Sequence, residues 1–347
     1  MENDRERTKE RKVRHVSRRM VLALAAAAGL QAVAWPARAQ QPAAVSEPVS
    51  AYPSKPIRLV VPYPPGGPTD LMARIVAVEM SKTIGQNILI ENKPGASGMI
   101  GAEQVARSAP DGYTILCNAS LHVINPSLYT KTRYDAIKDF APITQLADVP
   151  LVLVVNNDLP VKTLDDLVAL AKSGQPLSFG SAGNASAQHL SGATFKLAAG
   201  IDMQHIPYKG STPALTDVMG GQVALMFDSM PSAMPYIRGG KLRAVATTTA
   251  RRAQALPDVP TVAESGYPGF DISTWYALWA PAGTPALIVE KLSEHAARAL
   301  KAPDVRKQYA DLGAEPVGST PAAFAAYLDS ESTKWAKIVK DSGAKAD

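Results

Sequence analysis

The sequence predicts an α/β protein of two domains that face each other across a cleft. From Ala51 onward, short apolar runs typical of strands alternate with segments of helical spacing, which is the pattern of a parallel or mixed sheet flanked by helices. With 347 residues, 46% of them apolar, the chain exceeds the length at which one hydrophobic core usually stops growing. A glycine-rich turn follows a strand and opens a helix once in each half of the chain, so each domain contributes one such turn.

The individual elements follow from these patterns. Strands are predicted for the apolar and β-branched runs at residues 57–61, 87–90, 113–117, 151–155, 177–179, 223–227, 242–247 and 273–279. Helices are predicted at residues 71–80, 101–107, 163–171 and 189–198, and three more begin near Ala286, Pro303 and Pro321. Thr163 and Asp166 have the spacing of a capping box, which marks a helix start.

Domain boundaries are predicted where the chain leaves one domain and returns to it. The first domain comprises residues 52–153 and 273–347, the second comprises residues 154–272, and the two crossings between them give a hinge. Residues 1–39 are predicted to be a signal peptide, and residues 40–51 a flexible mature N-terminus.

The first 39 residues have the features of an export signal. A basic stretch ends at Arg18-Arg19, an apolar run covers residues 21–30, and an Ala-x-Ala pattern ends at Ala39, where we expect cleavage. The apolar run is shorter than the roughly 18–20 residues that a membrane span needs. The arginine pair resembles a twin-arginine export motif, so twin-arginine and general secretion both stay open. Either route delivers the mature chain to the periplasm of a Gram-negative cell.

The distribution of charge, the single cysteine and the spacing of the histidines exclude several functional classes. The leader holds nine of the 36 basic and four of the 31 acidic residues, so the rest of the chain has 27 of each and offers no basic surface for nucleic acid. Cys117 is the only cysteine in the sequence and lies in an apolar strand, so it is expected in the core and cannot form an intramolecular disulfide. The four histidines of the mature chain have no metal-ligand spacing, so we expect no metal and no cofactor. His122 follows a strand and could reach the cleft.

The first glycine-rich turn runs from Pro62 to Asp70 with the sequence PYPPGGPTD. Gly66 and Gly67 permit close approach of the backbone to a ligand, and a helix start leaves amide groups without partners and carries partial positive charge. These groups favour an anion without any basic side chain, and Thr69 adds a hydroxyl donor. The alternative is that Thr69 or Asp70 only caps the helix. Because Walker and Rossmann patterns are absent, carboxylate is favoured over phosphate.

The second turn, residues 180–186 with the sequence GSAGNAS, also follows a strand and opens a helix, but in the other half of the chain. Two such turns would direct main-chain amides into the cleft from both walls. Asp228 ends a predicted strand, where side chains face the cleft of such a sheet; the alternative is an N-cap for the next helix. Tyr208 could close over the ligand or be a half-buried core residue. Trp275 and Tyr276 could stack on an aromatic ligand or belong to the core.

Segments spread along the mature chain resemble the Bug family of periplasmic binding proteins, the receptors of tripartite tricarboxylate transporters. They are YPSKPIR at 52–58 leading into the first turn, ENKPGASG at 91–98, PDGYT at 110–114, HL at 189–190, IPYKG at 206–210 and APAGTP at 280–285. Their number and order argue against chance agreement.

The resemblance implies a Venus-flytrap fold, the two-domain α/β architecture of periplasmic binding proteins, with one ligand carboxylate held by the two turns and by ordered water. Carried onto this sequence, the ligand-binding positions are Tyr63, Gly66, Gly67, Thr69 and Asp70 in the first turn, Ser181, Gly183, Asn184 and Ser186 in the second, and Tyr208 and Asp228. Pro68 stands where a small residue is common in the family, and because it lacks an N–H group we expect no hydrogen bond from it.

The sequence therefore predicts a periplasmic solute-binding protein, monomeric and not an enzyme, that captures a small carboxylate-bearing ligand for the permease subunits of a tripartite tricarboxylate transporter. Dicarboxylates, tricarboxylates, aromatic carboxylates and amino acids all fit main-chain anchors. One alternative is a sensing adaptor for a membrane sensor kinase. Another is a periplasmic hydrolase with Ser181 or Ser186 as nucleophile, although the sequence shows no GxSxG motif and no serine paired with a base.

Overall fold

The computed structural model describes residues 48–129 and 132–342 of the chain. The predicted signal peptide, its cleavage site and residues 40–47 of the predicted mature N-terminus lie outside the described residues. The described residues belong to one compact unit. Among them, no helix combines the length and the apolar character that crossing a membrane requires.

Ten strands occur in the described part of the chain. They are β1 (Ile57–Val61), β2 (Ile88–Asn92), β3 (Thr114–Ala119), β4 (Phe140–Asn156), β5 (Ser178–Ser181), β6 (Gln204–Pro207), β7 (Leu225–Ser229), β8 (Leu242–Thr247), β9 (Ser273–Pro281) and β10 (Glu315–Pro316).

Ten α-helices accompany these strands. They are α1 (Pro68–Ile84), α2 (Met99–Ala106), α3 (Leu121–Leu128), α4 (Leu164–Lys172), α5 (Ala187–Ala199), α6 (Ser211–Met219), α7 (Met230–Arg238), α8 (Ala286–Lys301), α9 (Pro303–Asp311) and α10 (Pro321–Ser342). Short 3-10 turns occupy Val49–Ala51 and Ala96–Gly98.

The long strand β4 joins two segments of the sheet. Its residues 140–150 pair with β9, whereas residues 151–156 pair with β7 and β8. The first sheet segment has the strand order β2-β1-β3-β9-β4 and the second has the order β4-β7-β5-β6, while β10 and β8 also pair with β4. Strands β1, β2 and β3 are mutually parallel, as are β5, β6 and β7, so the helix that follows each strand starts at the carboxyl edge of its segment.

Thr248 forms hydrogen bonds to both chain crossings between the two sheet segments. Its N–H group donates to the carbonyl oxygen of Leu151 at 3.0 Å, and its hydroxyl donates to the carbonyl oxygen of Ile272 at 2.5 Å. Leu151 lies where β4 enters the second segment, and Ile272 directly precedes β9. One buried residue therefore holds the outgoing and the returning chain side by side.

Most of the predicted elements are confirmed. β1 and β8 have the predicted bounds, and α8, α9 and α10 begin at the predicted residues. Thr163 caps α4 through the predicted capping box with Asp166. These elements have strong local signals: short runs dominated by apolar and β-branched residues in β1 and β8, a capping box at α4, and a proline at or directly before the first residue of α8, α9 and α10.

Other elements lack such signals and were not predicted. The predicted strand at residues 151–155 is only the end of β4, because the preceding part contains Pro142 and two β-bulges that interrupt the alternation of side chains. Helices α3 and α7 contain the internal prolines Pro126 and Pro235. Proline disfavours a helix interior, so sequence patterns point away from helices that tertiary packing nevertheless stabilises.

A buried carboxylate attaches the C-terminal helix α10 to the sheet. Oε2 of Glu331 accepts hydrogen bonds from Nε1 of Trp275 on β9 and from Nε1 of Trp335 on α10, both at 2.7 Å. Both indole rings are fully buried, and Glu331 is 4% exposed. Burial of these polar groups is tolerated because each one satisfies another.

Replacing Glu331 with Leu should destabilise the fold, because two buried indole N–H groups lose their acceptor. We expect the free energy of unfolding to fall by about 2–4 kcal/mol, measured by urea denaturation followed by circular dichroism. Asp329→Leu, at an exposed position of the same helix, is the matched control and should change it by less than about 0.5 kcal/mol. Equal stability of the two variants would contradict this role for Glu331.

Candidate functional site

A cavity lies between the two sheet segments, next to the carboxyl ends of β1, β3 and β5. Its walls are formed mainly by the first turns of α1, α3, α5 and α6. It contains about 420 Å³ of atom-free space, including the part open to solvent. Its walls approach each other closely, since a Cβ on Gly210 would lie 2.9 Å from Cδ of Pro64 on the facing wall.

The first glycine-rich turn presents the start of α1 to this cavity. Gly67 is the N-cap and no side chain caps the helix, so the alternative that Thr69 or Asp70 serves as the cap is wrong. Pro68 is the first helical residue, where a missing N–H group costs no hydrogen bond. Gly67 and Thr69 line the cavity. The amide of Thr69, as the second helical residue, has no partner within the helix.

Asp70 holds the first turn in place and does not line the cavity. Its Oδ2 accepts hydrogen bonds from the Gly66 amide at 2.9 Å and from Arg74 Nε at 2.8 Å, and its Oδ1 accepts one from Asn92 Nδ2 at 2.9 Å. Burial alone would raise the pKa of Asp70, but the hydrogen bonds from Arg74 and Gly66 outweigh it and lower this pKa below its usual value. Gly66 has a φ of +77°, which favours glycine. Because the Gly66 amide donates to Asp70, its hydrogen bond lies within the turn.

The second glycine-rich turn presents the start of α5 to the same cavity. Ser186 is the N-cap: its Oγ accepts a hydrogen bond from the His189 amide at 3.2 Å and donates one to the Gly183 carbonyl oxygen at 2.7 Å. Ser186 lines the cavity together with Ala187 and Gln188, the first two helical residues. The amides of those two residues have no partners within the helix.

Ser181, Gly183 and Asn184 form the body of the second turn and do not line the cavity. Ser181 is fully buried, and its Oγ lies 2.7 Å from Nε2 of His205 and 3.1 Å from the Gly183 carbonyl oxygen. Gly183 has a φ of +132°, and a Cβ there would lie 3.2 Å from Oγ of Ser97, in the 3-10 turn that follows β2 in the first sheet segment. Glycine at this position therefore allows the close approach of the second turn to the first sheet segment.

Two further helix starts, which the sequence did not predict as part of the site, line the cavity. Gly210 is the N-cap of α6, and Ser211 and Thr212 are its first two residues. Ser120 and Leu121, at the start of α3, contribute a fourth. A glycine followed by Ser-Thr-Pro is a usable signal for a helix start. The strand that precedes this helix start, β6, has only four residues, and so short a strand did not indicate the helix start in the sequence.

Asp228 lies behind the start of α6 and does not line the cavity. Its Oδ1 accepts a hydrogen bond from Ser211 Oγ at 2.6 Å, and its Oδ2 accepts one from Ser232 Oγ. Desolvation of this fully buried carboxyl raises its pKa to about 6, against the opposing effect of the hydrogen bonds from the two serines. Ser229 is the N-cap of α7, so the alternative that Asp228 caps this helix is wrong.

Tyr63 and Tyr276 are the aromatic residues of the cavity wall. The Tyr63 hydroxyl donates to Oδ1 of Asn118 at 3.1 Å, and the Tyr276 hydroxyl lies 2.6 Å from Oγ of Ser229. Both hydroxyl groups are therefore already engaged with protein groups.

The remaining aromatic candidates lie outside the cavity wall. The Tyr208 hydroxyl donates to Oδ2 of Asp217 at 2.5 Å, and Trp275 belongs to the core beneath α10. His122 is fully buried with Nε2 3.0 Å from the Ala136 carbonyl oxygen, and desolvation lowers its pKa to about 4. The predicted possibility that His122 reaches the cleft is wrong, because the ring packs into an aromatic cluster instead.

The electrostatics of the cavity come from the main chain. Among the described residues that line it, none is Lys, Arg or His. Each helix start carries roughly half a positive charge together with unpaired amides, and four such starts meet here. The described residues contain no group of three or more His, Cys, Asp or Glu that could hold a metal ion. The arrangement can therefore bind an anionic group through amides and hydroxyls.

Comparison with known proteins identifies the family. The sequence profile described as "Tripartite tricarboxylate transporter family receptor" matches residues 72–344. Protein BugT of Bordetella pertussis (strain Tohama I) is 41% identical over 309 residues, which covers 87% of this chain and 94% of BugT. The predicted resemblance to the Bug family is confirmed.

Solved structures of similar proteins have the same fold. Periplasmic binding protein BugD is 38% identical with a TM-score of 0.82, covering 85% of this chain and 100% of BugD. An R. palustris protein solved with adipate is 36% identical with a TM-score of 0.83, covering 85% of this chain and 99% of that protein. MatC from Rhodopseudomonas palustris, solved with bound malate, is 36% identical with a TM-score of 0.79, covering 83% of this chain and 100% of MatC.

These similarities confirm the predicted fold class, an α/β periplasmic binding protein. The similar proteins bind solutes and are not enzymes, which removes the alternative of a hydrolase with Ser181 or Ser186 as nucleophile. The chain belongs to the receptor family of tripartite tricarboxylate transporters and is a periplasmic solute-binding protein of that family.

Proposed function

We propose that this protein captures a small carboxylate-bearing solute in the periplasm and delivers it to the permease subunits of a tripartite tricarboxylate transporter. The observation that supports the proposal most directly is the meeting of four helix starts on one cavity whose described lining residues include no basic side chain. Helix starts bind anions through unpaired amides and partial positive charge. A carboxylate offers two oxygens to these donors.

The carboxylate lies, in this proposal, between the two glycine-rich turns. Gly67 and Thr69 approach it from one wall, and Ser186 and the amide of Gln188 from the other. A hydrogen bond to a charged group contributes about 1.5–3 kcal/mol. Three or four of them approach the roughly 8 kcal/mol of micromolar affinity, once the cost of association is subtracted.

The other predicted ligand-binding residues act mainly by shaping the walls. In this proposal Gly66 and Asp70 fix the first turn and Tyr63 forms the wall beside it. Ser181, Gly183 and Asn184 build the second turn. Tyr208 and Asp228 support the elements behind it. Substitutions at these supporting positions would alter affinity through the position of the donors.

We further propose that the two sheet segments belong to lobes that close on the ligand. The lobes are the predicted domains, residues 52–153 with 273–347 and residues 154–272. The close contact between walls supports this arrangement, since a Cβ on Gly210 would lie 2.9 Å from Cδ of Pro64 across the cavity. Thr248, which links the two chain crossings, is in position to act in the hinge.

Ligand identity is tested first with dicarboxylates, because two similar structures were solved with adipate and malate. Tricarboxylates, aromatic carboxylates and amino acids complete the panel, since main-chain amides recognise the carboxylate and not the remainder of the molecule. A ligand present at about 100 times its Kd adds roughly 2.7 kcal/mol of stability. A thermal-shift screen detects this, and the amide analogue of each hit is the control. A panel that produces no shift, followed by no heat of binding in calorimetry, would refute the proposal.

Gly67→Val should abolish binding while the fold stays intact. The φ of −75° at this N-cap suits valine, but the side chain would extend between the Pro64 carbonyl oxygen and Oγ1 of Thr212, which lie 3.4 Å and 3.9 Å from the new Cβ. We expect the Kd measured by calorimetry to rise at least about 100-fold.

The matched control is Gly220→Val, at an exposed helix end where a Cβ would also lie 3.4 Å from a carbonyl oxygen. It should bind as tightly as the wild type. Unchanged affinity in Gly67→Val would remove the first turn from the site.

Ligand should also favour the closed arrangement of the two lobes. We expect the radius of gyration from small-angle X-ray scattering to decrease when a tight ligand is added, because the unliganded protein samples open conformations in solution. The amide analogue should leave the scattering profile unchanged. Superimposable profiles with and without a tight ligand would argue against closure.

A further inference from the structure

Thr212 carries a buried hydroxyl that forms no hydrogen bond within the described part of the chain. It is the second residue of α6 and lines the cavity. Its Oγ1 lies 3.9 Å from the position that a Cβ on Gly67 would occupy, so it faces the first turn from the opposite wall. A buried polar group without a partner costs free energy and therefore calls for a ligand, a water or another explanation.

Most other side-chain hydroxyls of the cavity wall are engaged by the protein. Ser186 donates to a main-chain carbonyl, and Oγ of Ser120 lies 2.9 Å from Oγ1 of Thr274. The two tyrosine hydroxyls are bonded as described above. Thr69 is the other threonine that stands at a helix start in the cavity wall. Both threonines are the second residue of their helix, α1 and α6, on facing walls.

The neighbouring residue explains why the start of α6 is fixed. Ser211 Oγ donates to the buried Asp228 carboxylate at 2.6 Å, and Gln188 Nε2 lies 3.4 Å from the same Oγ. The hydroxyl of Ser211 is thus directed into the protein. Asp228 is a positioning residue here: it holds the first turn of α6 so that Thr212 stands at the cavity.

We infer that Thr212 is a third anchor for the ligand carboxylate, donating its hydroxyl to the oxygen that Thr69 approaches from the other wall. The inference rests on the proposed function and names a contact that the two glycine-rich turns do not supply. A carboxylate held by α1 and α6 together connects the two sheet segments. Thr212 therefore contributes to closure as well as to affinity.

The test compares Thr212→Val with Thr212→Ser by calorimetry, using malate, adipate and any other carboxylate that binds the wild type. Valine keeps the shape and removes the hydroxyl, so we expect the Kd to rise about tenfold to 100-fold. Serine keeps the hydroxyl and should stay within about threefold of the wild type. Thr216→Val, an exposed threonine of the same helix whose hydroxyl donates to the Thr212 carbonyl oxygen, is the control and should bind normally.

A second readout separates a ligand contact from a structural role. Because the Thr212 hydroxyl has no protein partner, the melting temperature of unliganded Thr212→Val should equal or exceed that of the wild type. A double-mutant cycle with Thr69→Val should show coupling, since both hydroxyls act on one carboxylate.

The possible outcomes separate the role of Thr212 from the proposed function of the whole protein. Wild-type affinity in Thr212→Val, or a lowered melting temperature without ligand, would overturn the role of Thr212 and leave the proposed function standing. Failure of every carboxylate to bind the wild type would overturn both.

Discussion

The candidate site depends on main-chain amides at facing helix starts, with no basic side chain among the described residues that line the cavity. Parallel strands in both sheet segments end at the cavity, so the helices that follow them begin there. The topology itself thus supplies the donors. Side chains then keep these donors in position: Asp70 holds the turn before α1, Ser186 caps α5, and Asp228 fixes the start of α6.

The same topology explains how the candidate site keeps a defined geometry although its residues come from two walls. β4 takes part in both sheet segments, and Thr248 binds the outgoing chain to the returning chain. In the proposed closure, the two walls change their separation around that junction. Glycines at positions 183 and 210 allow the two sheet segments to approach each other, because any side chain there would contact Ser97 or Pro64.

The sequence was informative where local chemistry determines structure. Short runs dominated by apolar and β-branched residues identified β1 and β8, and the two glycine-rich turns identified α1 and α5 as walls of the cavity. The starts of α3 and α6 were missed, because α3 contains Pro126 and α6 follows a strand of four residues. The partners of Asp228 could not be predicted either, since Ser211 and Ser232 approach it through tertiary packing. Which residues line the cavity and which stand behind it is set by distances across the fold, and no single-sequence pattern records them.

A high-resolution crystal structure with a bound carboxylate tests the central claim most directly. The account predicts that the two carboxylate oxygens accept hydrogen bonds from amides at the starts of α1 and α5, with the Thr69 and Thr212 hydroxyls on either side and no basic side chain within contact. A ligand bound elsewhere, or one neutralised by a lysine or arginine that moves into the cavity, would contradict it.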